Sequence, residues 1–324
     1  MRNDPAVVAF YEPLNEALAS IGTRDLRDFR TDSWESRHPF QQRAYYAEFA
    51  PFVGRWRRGV ARYEERFALD GWFGGADDAP RGLRDYIAML VAHAEAQDRV
   101  GVFKFTRTLG RLAWIRQAFP DAAHVVVVRN PLDQWCSAWD QAMHHRNPYF
   151  LIMPWLALHR NAGNAAVAST AALLGVTPLD FGGGRLQRQY DEAAGAIANV
   201  DPEASYRAFL VTWILGMIDA LRYGEVIVDI DALRDDDAYR PHLERSIAQH
   251  TGLHVDLATF EGSRRDVHES VASALDFERV HRDARPVIAA ACNANRSPRR
   301  VSVRCIQLLD RRGADAPDAS LASI

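Results

Sequence analysis

The chain is poor in cysteine, has no long hydrophobic run and carries no excess of charge of one sign. Three cysteines in 324 residues (Cys136, Cys292 and Cys305) do not make a disulfide framework. They read as reduced thiols, which favours a cytoplasmic setting. The apolar stretches around Ala165–Val176 and Tyr149–Leu158 fall short of the ~20 residues that a bilayer span needs, so no membrane span is expected. The opening Met1-Arg2-Asn3-Asp4-Pro5 has no apolar core, so no signal peptide is expected. With 39 basic and 42 acidic side chains the net charge is −3. A general nucleic-acid binder carries a strong basic excess, so that partner class is set aside, although a local pocket for a small anion is not. The histidines, including the pair His144-His145, have no metal-ligand spacing, and no metal is expected.

What is present is the profile of a globular protein, 48% apolar and 25% charged, long enough to bury a full core. Four short runs read as strands: Ala6–Tyr11, Gly101–Thr106, His124–Arg129 and Glu225–Asp229. Their near-continuous apolar and β-branched character suits a parallel sheet covered on both faces. Helical patterns follow at Thr108–Phe119, Leu132–Met143 and Ala204–Arg222. This alternation predicts βαβ units and an α/β fold with a parallel sheet flanked by helices. The expected organisation is one domain over 1–311, with helical insertions at about 40–97 and 147–200, and a disordered tail over 312–324. The insertions either shape a substrate site or only cover core.

Three strand ends carry chemistry. Val125-Val126-Val127-Val128-Arg129-Asn130-Pro131 ends a strand in an arginine, with Asn130 suited to cap the next helix and Pro131 to its first position. Ligands of open α/β sheets bind beyond the carboxyl ends of strands, here beside a helix N-terminus that favours anions. Ser137 lies roughly 9 Å further along that helix. An arginine fork with a hydroxyl suits a phosphate monoester; the bland alternative is an arginine paired with a nearby acid. Lys104 lies in an apolar strand, where it must snorkel or meet an anion. Glu12 ends the first strand before Pro13, a place for a general base or for a simple helix-start charge. Glu12, Lys104 and Arg129 together would line one rim.

The run Lys104…Phe119-Pro120…Val125–Val128-Arg129-Asn130-Pro131…Ser137 resembles the middle of the sulfotransferases that use 3′-phosphoadenosine 5′-phosphosulfate. Val226-Ile227-Val228-Asp229 and the segment into Thr251-Gly252-Leu253 resemble that family's next strand and helix, and Phe10-Tyr11-Glu12-Pro13-Leu14 an earlier segment. The likeness is most specific between Lys104 and Ser137. It implies a P-loop NTPase-like sulfotransferase fold, with 3′-phosphoadenosine 5′-phosphosulfate as co-substrate and a hydroxyl of a glycan or small metabolite as acceptor. Arg129 and Ser137 match the pair that holds the 3′-phosphate. Glu12 matches the carboxylate that deprotonates the acceptor in the carbohydrate and tyrosylprotein branches, and Lys104 a lysine that steadies the transition state. Ser263 and Arg265 fall where the family has a loop over the co-substrate. Trp213 is read as core, with stacking on the adenine as the alternative.

The family's first strand and its Pro-x-Ser-Gly-Thr-Thr-like loop, which grips the 5′-phosphosulfate, have no counterpart in the sequence. Two expectations follow. Either the protein extends upstream of Met1 and is an active enzyme, or it is a catalytically inactive relative that binds nucleotide or acts as a scaffold. A sheet lacking its central strand would leave unpaired backbone groups, at a cost of ~1–3 kcal/mol each, which favours the first.

Overall fold

Four short strands form where valine is densest, because β-branched side chains fit the pleated surface better than the helix. β1 (Val7–Tyr11) runs parallel to β2 (Val100–Lys104), with Val7 opposite Val100 and Tyr11 opposite Lys104. β3 (Val125–Val128) runs parallel to β4 (Val226–Asp229), with Val128 opposite Asp229. The structure, a computed structural model, describes residues 4–28, 44–75, 79–197, 200–258, 260 and 275–311. The expected tail over 312–324 lies outside them.

The α-helices longer than a single turn are α1 (Leu83–Glu95), α2 (Leu112–Ala118), α3 (Pro131–His144), α4 (Tyr149–Arg160), α5 (Ala165–Leu173), α6 (Leu186–Ile197) and α7 (Pro202–Tyr223). After β4 come α8 (Ile230–Asp235), α9 (Tyr239–Thr251), α10 (Phe277–Ala294) and α11 (Arg299–Asp310). The chain is a helix-rich α/β protein with short parallel strands.

The expected parallel pairing is present, but it is divided. Among the described residues the strands make two separate two-stranded sheets, β1–β2 and β3–β4, and β2 does not pair with β3. The expectation of strands covered on both faces fails at β3: Val125 and Val127 are 39% and 53% exposed, while Val126 and Val128 are buried. Valine content encodes a strand but not a neighbour. A parallel strand is fully buried only where helices cover both faces and strands occupy both edges. Here one face of β3 joins the largest apolar cluster and the other is open.

Helix α7 organises that cluster. Asp201 caps it by accepting from Ala204 N–H (3.0 Å), and Pro202 occupies its first turn. Among the described residues it is the one helix long and apolar enough, by length and composition alone, to cross a membrane, a feature the apolar-run count overlooked. Most of it is buried against α4, α10 and α11, as expected of a core helix. The three cysteines are buried free thiols.

A second cluster gathers Phe10, Phe49, Tyr63, Phe67 and Tyr86 around β1 and α1. Of the helical insertion expected at about 40–97, α1 forms, but before it the described residues 44–75 hold only short 3₁₀ turns, at Ala47–Phe52 and Glu65–Ala68. Pro51 and the positive-φ residues Tyr46, Gly59 and Arg62 interrupt anything longer. Arg111 fixes this segment to α2. It is 1% exposed, and its guanidinium donates to the carbonyls of Phe67 and Asp70 (2.7 Å each) and Gly71 (3.4 Å).

Candidate functional site

The register of β1 and β2 sets Glu12 beside Lys104. Directly after β1, the Glu12 N–H donates to the Lys104 carbonyl (2.8 Å). Glu12 then turns into the left-handed region (φ 50°), a strained conformation for a residue with a Cβ. This turn buries its carboxylate at 5% exposure. One carboxylate oxygen accepts from the Lys104 ammonium. The other accepts from the Thr106 hydroxyl (2.6 Å) and the Thr106 N–H (3.2 Å). The anion Lys104 was expected to need is therefore Glu12. The ammonium also lies 4.4 Å from the Tyr11 ring centroid, and its side chain stays half exposed. Lys104 is the only lysine in the chain; every other strongly basic position is an arginine. That singularity is a sequence signal the motif reading passed over. A compact ammonium, unlike a planar guanidinium, concentrates charge at one point.

Three further groups adjoin this pair without any sequence motif. Arg107 is 3% exposed, donates to the Leu14 carbonyl (2.7 Å), pairs with Glu16 and bonds the Tyr149 hydroxyl. Burial is the largest single effect and works against its charge, but Glu16, Tyr63 and Glu12 together outweigh it and hold its pKa above the ordinary arginine value. Glu16, Tyr149, Met153, Leu156 and Tyr190 line a cleft at this point. Arg107 was not singled out because its partners come from two other segments of the chain.

Arg129 directly follows β3. Its nearest acid, Asp231, lies 3.9 Å from Nε, and Nε has no hydrogen-bond partner although it is shielded from solvent. The bland pairing is thus only loosely made. Asn130 caps α3 as expected, accepting from Leu132 N–H (2.8 Å) and Asp133 N–H (3.2 Å). At that helix start the cap takes two N–H groups, and Asp133 adds a negative charge to the first turn. Ser137 lies on α3, partly buried, and no hydrogen bond joins it to Arg129. Burial pushes the Asp231 carboxyl above the usual carboxylate range, while the Asn130 N–H (2.9 Å) opposes this.

Next to Arg129, Asp229 accepts from Arg311 (2.6 and 2.7 Å) and Arg304 (2.9 Å). Asn130 donates to the carbonyls of Leu308 (3.0 Å) and Arg311 (2.7 Å), so α11 is tied to the end of β3. Sequence reading missed this network because α11 lies far along the chain.

The structure brings Glu12 and Lys104 into contact. Arg129 occupies the matching carboxyl end of the other strand pair, and Ser137 lies on the helix that follows. Ser263 and Arg265 lie outside the described residues. Trp213 is 4% exposed and donates to the Arg129 carbonyl (3.4 Å), a core position. Trp135 and Trp155 are core as well. Among the described residues no group of His, Cys, Asp and Glu could hold a metal ion. No family profile, no curated protein and no solved structure matches the chain.

Proposed function

We propose that the protein belongs to a sulfotransferase that moves a sulfuryl group from 3′-phosphoadenosine 5′-phosphosulfate to a hydroxyl of a glycan or small metabolite. The observation that carries this reading is the buried Glu12 carboxylate held between Lys104 and Thr106 at the carboxyl end of parallel strands. In this reading Glu12 takes the proton of the acceptor hydroxyl. The acceptor oxygen then bonds to sulfur as the bond from sulfur to the phosphate oxygen breaks. Lys104 supplies positive charge where charge gathers in the transition state, and Thr106 keeps the carboxylate oriented. The cleft lined by Glu16 and Tyr149, both partners of Arg107, suits the acceptor.

For the co-substrate, the unpartnered Arg129 Nε fits a 3′-phosphate, with the Ser137 hydroxyl a turn and a half into α3 as the second contact. The P-loop-like fold is part of the same proposal. In it, the inner edges of β2 and β3 flank a central strand and donor loop, which agrees with two parallel pairs that do not meet.

A second reading, a catalytically inactive nucleotide-binding or scaffolding relative, rests on a separate observation. Among the described residues no glycine-rich loop follows any of the four strands, so the 5′-phosphosulfate has no evident grip. Calorimetry with 3′-phosphoadenosine 5′-phosphate, combined with transfer of labelled sulfate from the donor to a panel of hydroxyl acceptors, separates the two. Binding with transfer supports the enzyme. Binding without transfer supports the inactive nucleotide-binding relative, and no binding removes both nucleotide-dependent readings and leaves only a scaffold. Because Lys104 is the sole lysine, amine-reactive labelling at this residue gives an independent readout of ligand protection.

A further inference from the structure

We propose that the loop Gly54–Gly59 is a docking tip for an anionic membrane surface, with Trp56 entering the headgroup region and Arg55 and Arg57 meeting lipid phosphates. This inference stands apart from the sulfuryl-transfer reading. Trp56 is 90% exposed, whereas the six other tryptophans among the described residues are buried in a core cluster or packed against one. An indole left in water forgoes the largest apolar burial any side chain offers, and a bilayer interface is where its amphipathic ring is favoured.

The tip is presented rigidly. Val53 and Val60 form an antiparallel bridge at its base, and the Ala61 N–H donates to the Phe52 carbonyl (2.9 Å). The Gly59 N–H donates to Ile21 O and the Val60 N–H to Leu18 O (2.8 Å each). Gly59 sits at φ 84°, and a Cβ there would lie 2.5 Å from the Ala19 carbonyl oxygen, so the backbone is pressed against the Glu16–Ala19 turn. Above this base Gly54, Arg55, Trp56, Arg57 and Arg58 are all exposed.

The charges are free to act. The Arg55 guanidinium lies 5.1 Å from the Trp56 ring centroid. Among the described residues no carboxylate pairs with Arg55 or Arg57. Arg58 is engaged below, donating to Ser20 O (2.9 Å) and Asp25 (3.5 Å). A convex tip has no walls to enclose a small ligand. Two free arginines at one point do not form the extended basic face that nucleic acid requires. A planar anionic surface meets such a tip fully. Charges elsewhere on the chain beyond about 8 Å are screened at physiological salt, so the net charge of −3 does not oppose the contact.

The test is co-sedimentation of the full chain with phosphatidylcholine vesicles, with and without phosphatidylglycerol. Wild type is expected to pellet with the anionic vesicles only, and less so as salt rises. Trp56→Ala is expected to weaken partition roughly tenfold, and Arg55→Glu with Arg57→Glu at least about fivefold per arginine. These surface changes should leave the melting temperature unchanged. The chain has eight tryptophans, so the emission shift on adding vesicles is read as wild type minus Trp56→Ala. Equal pelleting of wild type and Trp56→Ala, or no pelleting of either, overturns the proposal. Trp56-dependent retention on heparin or duplex DNA with no binding to vesicles overturns it in favour of a soluble polyanion.

Discussion

Glu12 and Lys104 are joined twice, by a 2.8 Å backbone hydrogen bond and by contact between carboxylate and ammonium. The first bond continues the β1–β2 ladder one step past the last strand residue of β1. The second follows because the left-handed turn at Glu12 swings the carboxylate back over the end of β2. The Glu12→Gln variant keeps an acceptor for Thr106 but cannot take a proton. Its turnover is expected to fall about a hundredfold or more, the usual span for a general base. Affinity for 3′-phosphoadenosine 5′-phosphate should stay within about twofold, since Glu12 lies in the other strand pair from Arg129. Steady-state rates and calorimetry on the same preparations check both, and a Gln variant with normal turnover excludes Glu12 as the base.

Arg129→Ala removes the guanidinium whose Nε lacks a partner. Binding of 3′-phosphoadenosine 5′-phosphate should weaken by ~1.5–3 kcal/mol, the range for hydrogen bonds to a charged group. Stability should change little, because the contact with Asp231 is only 3.9 Å and partly exposed. Titration calorimetry gives the first quantity and urea unfolding the second. Unchanged affinity would remove Arg129 from the phosphate site.

Arg111→Met strips three carbonyls of their donor, two of them at 2.7 Å, and leaves no nearby replacement. Burial lowers the Arg111 pKa to about 10, yet at neutral pH the group remains charged and its hydrogen bonds stand. The variant should lose about 3–5 kcal/mol, as when one side of a buried polar network is removed. Chemical denaturation measures this directly, and a loss below about 1 kcal/mol would mean that water replaces the guanidinium.

Asp219 on α7 accepts from Leu112 N–H (2.6 Å) and Ala113 N–H (3.4 Å) at the start of α2. Burial pushes its carboxyl up to about 7, against the lowering effect of those N–H groups and of Arg222. A carboxyl with a raised folded-state pKa favours folding when protonated. Its contribution is full below about pH 4 and is lost as pH rises through about 7, by up to about 4 kcal/mol. Asp219→Asn keeps a capping oxygen and does not titrate. The stability of wild type relative to Asp219→Asn should therefore fall between about pH 4 and pH 8. Urea unfolding across that range checks the slope, and a flat difference would mean that Asp219 titrates normally.

The outer edges of β2 and β3, which pair with no other strand among the described residues, make a prediction of their own. In a parallel pair, alternate N–H groups face the partner and the others face outward. Hydrogen exchange read residue by residue should alternate between slow and fast along Val100–Lys104 and Val125–Val128. Uniform protection along either run would mean that its outer edge is paired.

The sequence by itself determined the strands and most of the helices, though not the 3₁₀ turns before α1. Runs of valine mark all four strands to within a residue or two, and Asn130-Pro131 marks the start of α3, because propensity and capping depend on neighbours in the chain; the helix read from Ala204 begins two residues earlier, at Pro202 behind the Asp201 cap. Glu12, Lys104 and Arg129 were legible as polar residues ending apolar strands. Tertiary structure alone decided which of them meet. Residues 12 and 104 touch only because β1 closes onto β2 across 92 positions. The Arg107–Glu16–Tyr149 cluster and the reach of Arg304 and Arg311 to Asp229 likewise need distant segments brought together. Strand pairing is also decided at this level: four similar valine-rich runs do not say that β2 and β3 remain apart. Local preference is encoded within a turn or two of chain. Pairing depends on loop closure and on burying whole faces together, which no short stretch of residues contains.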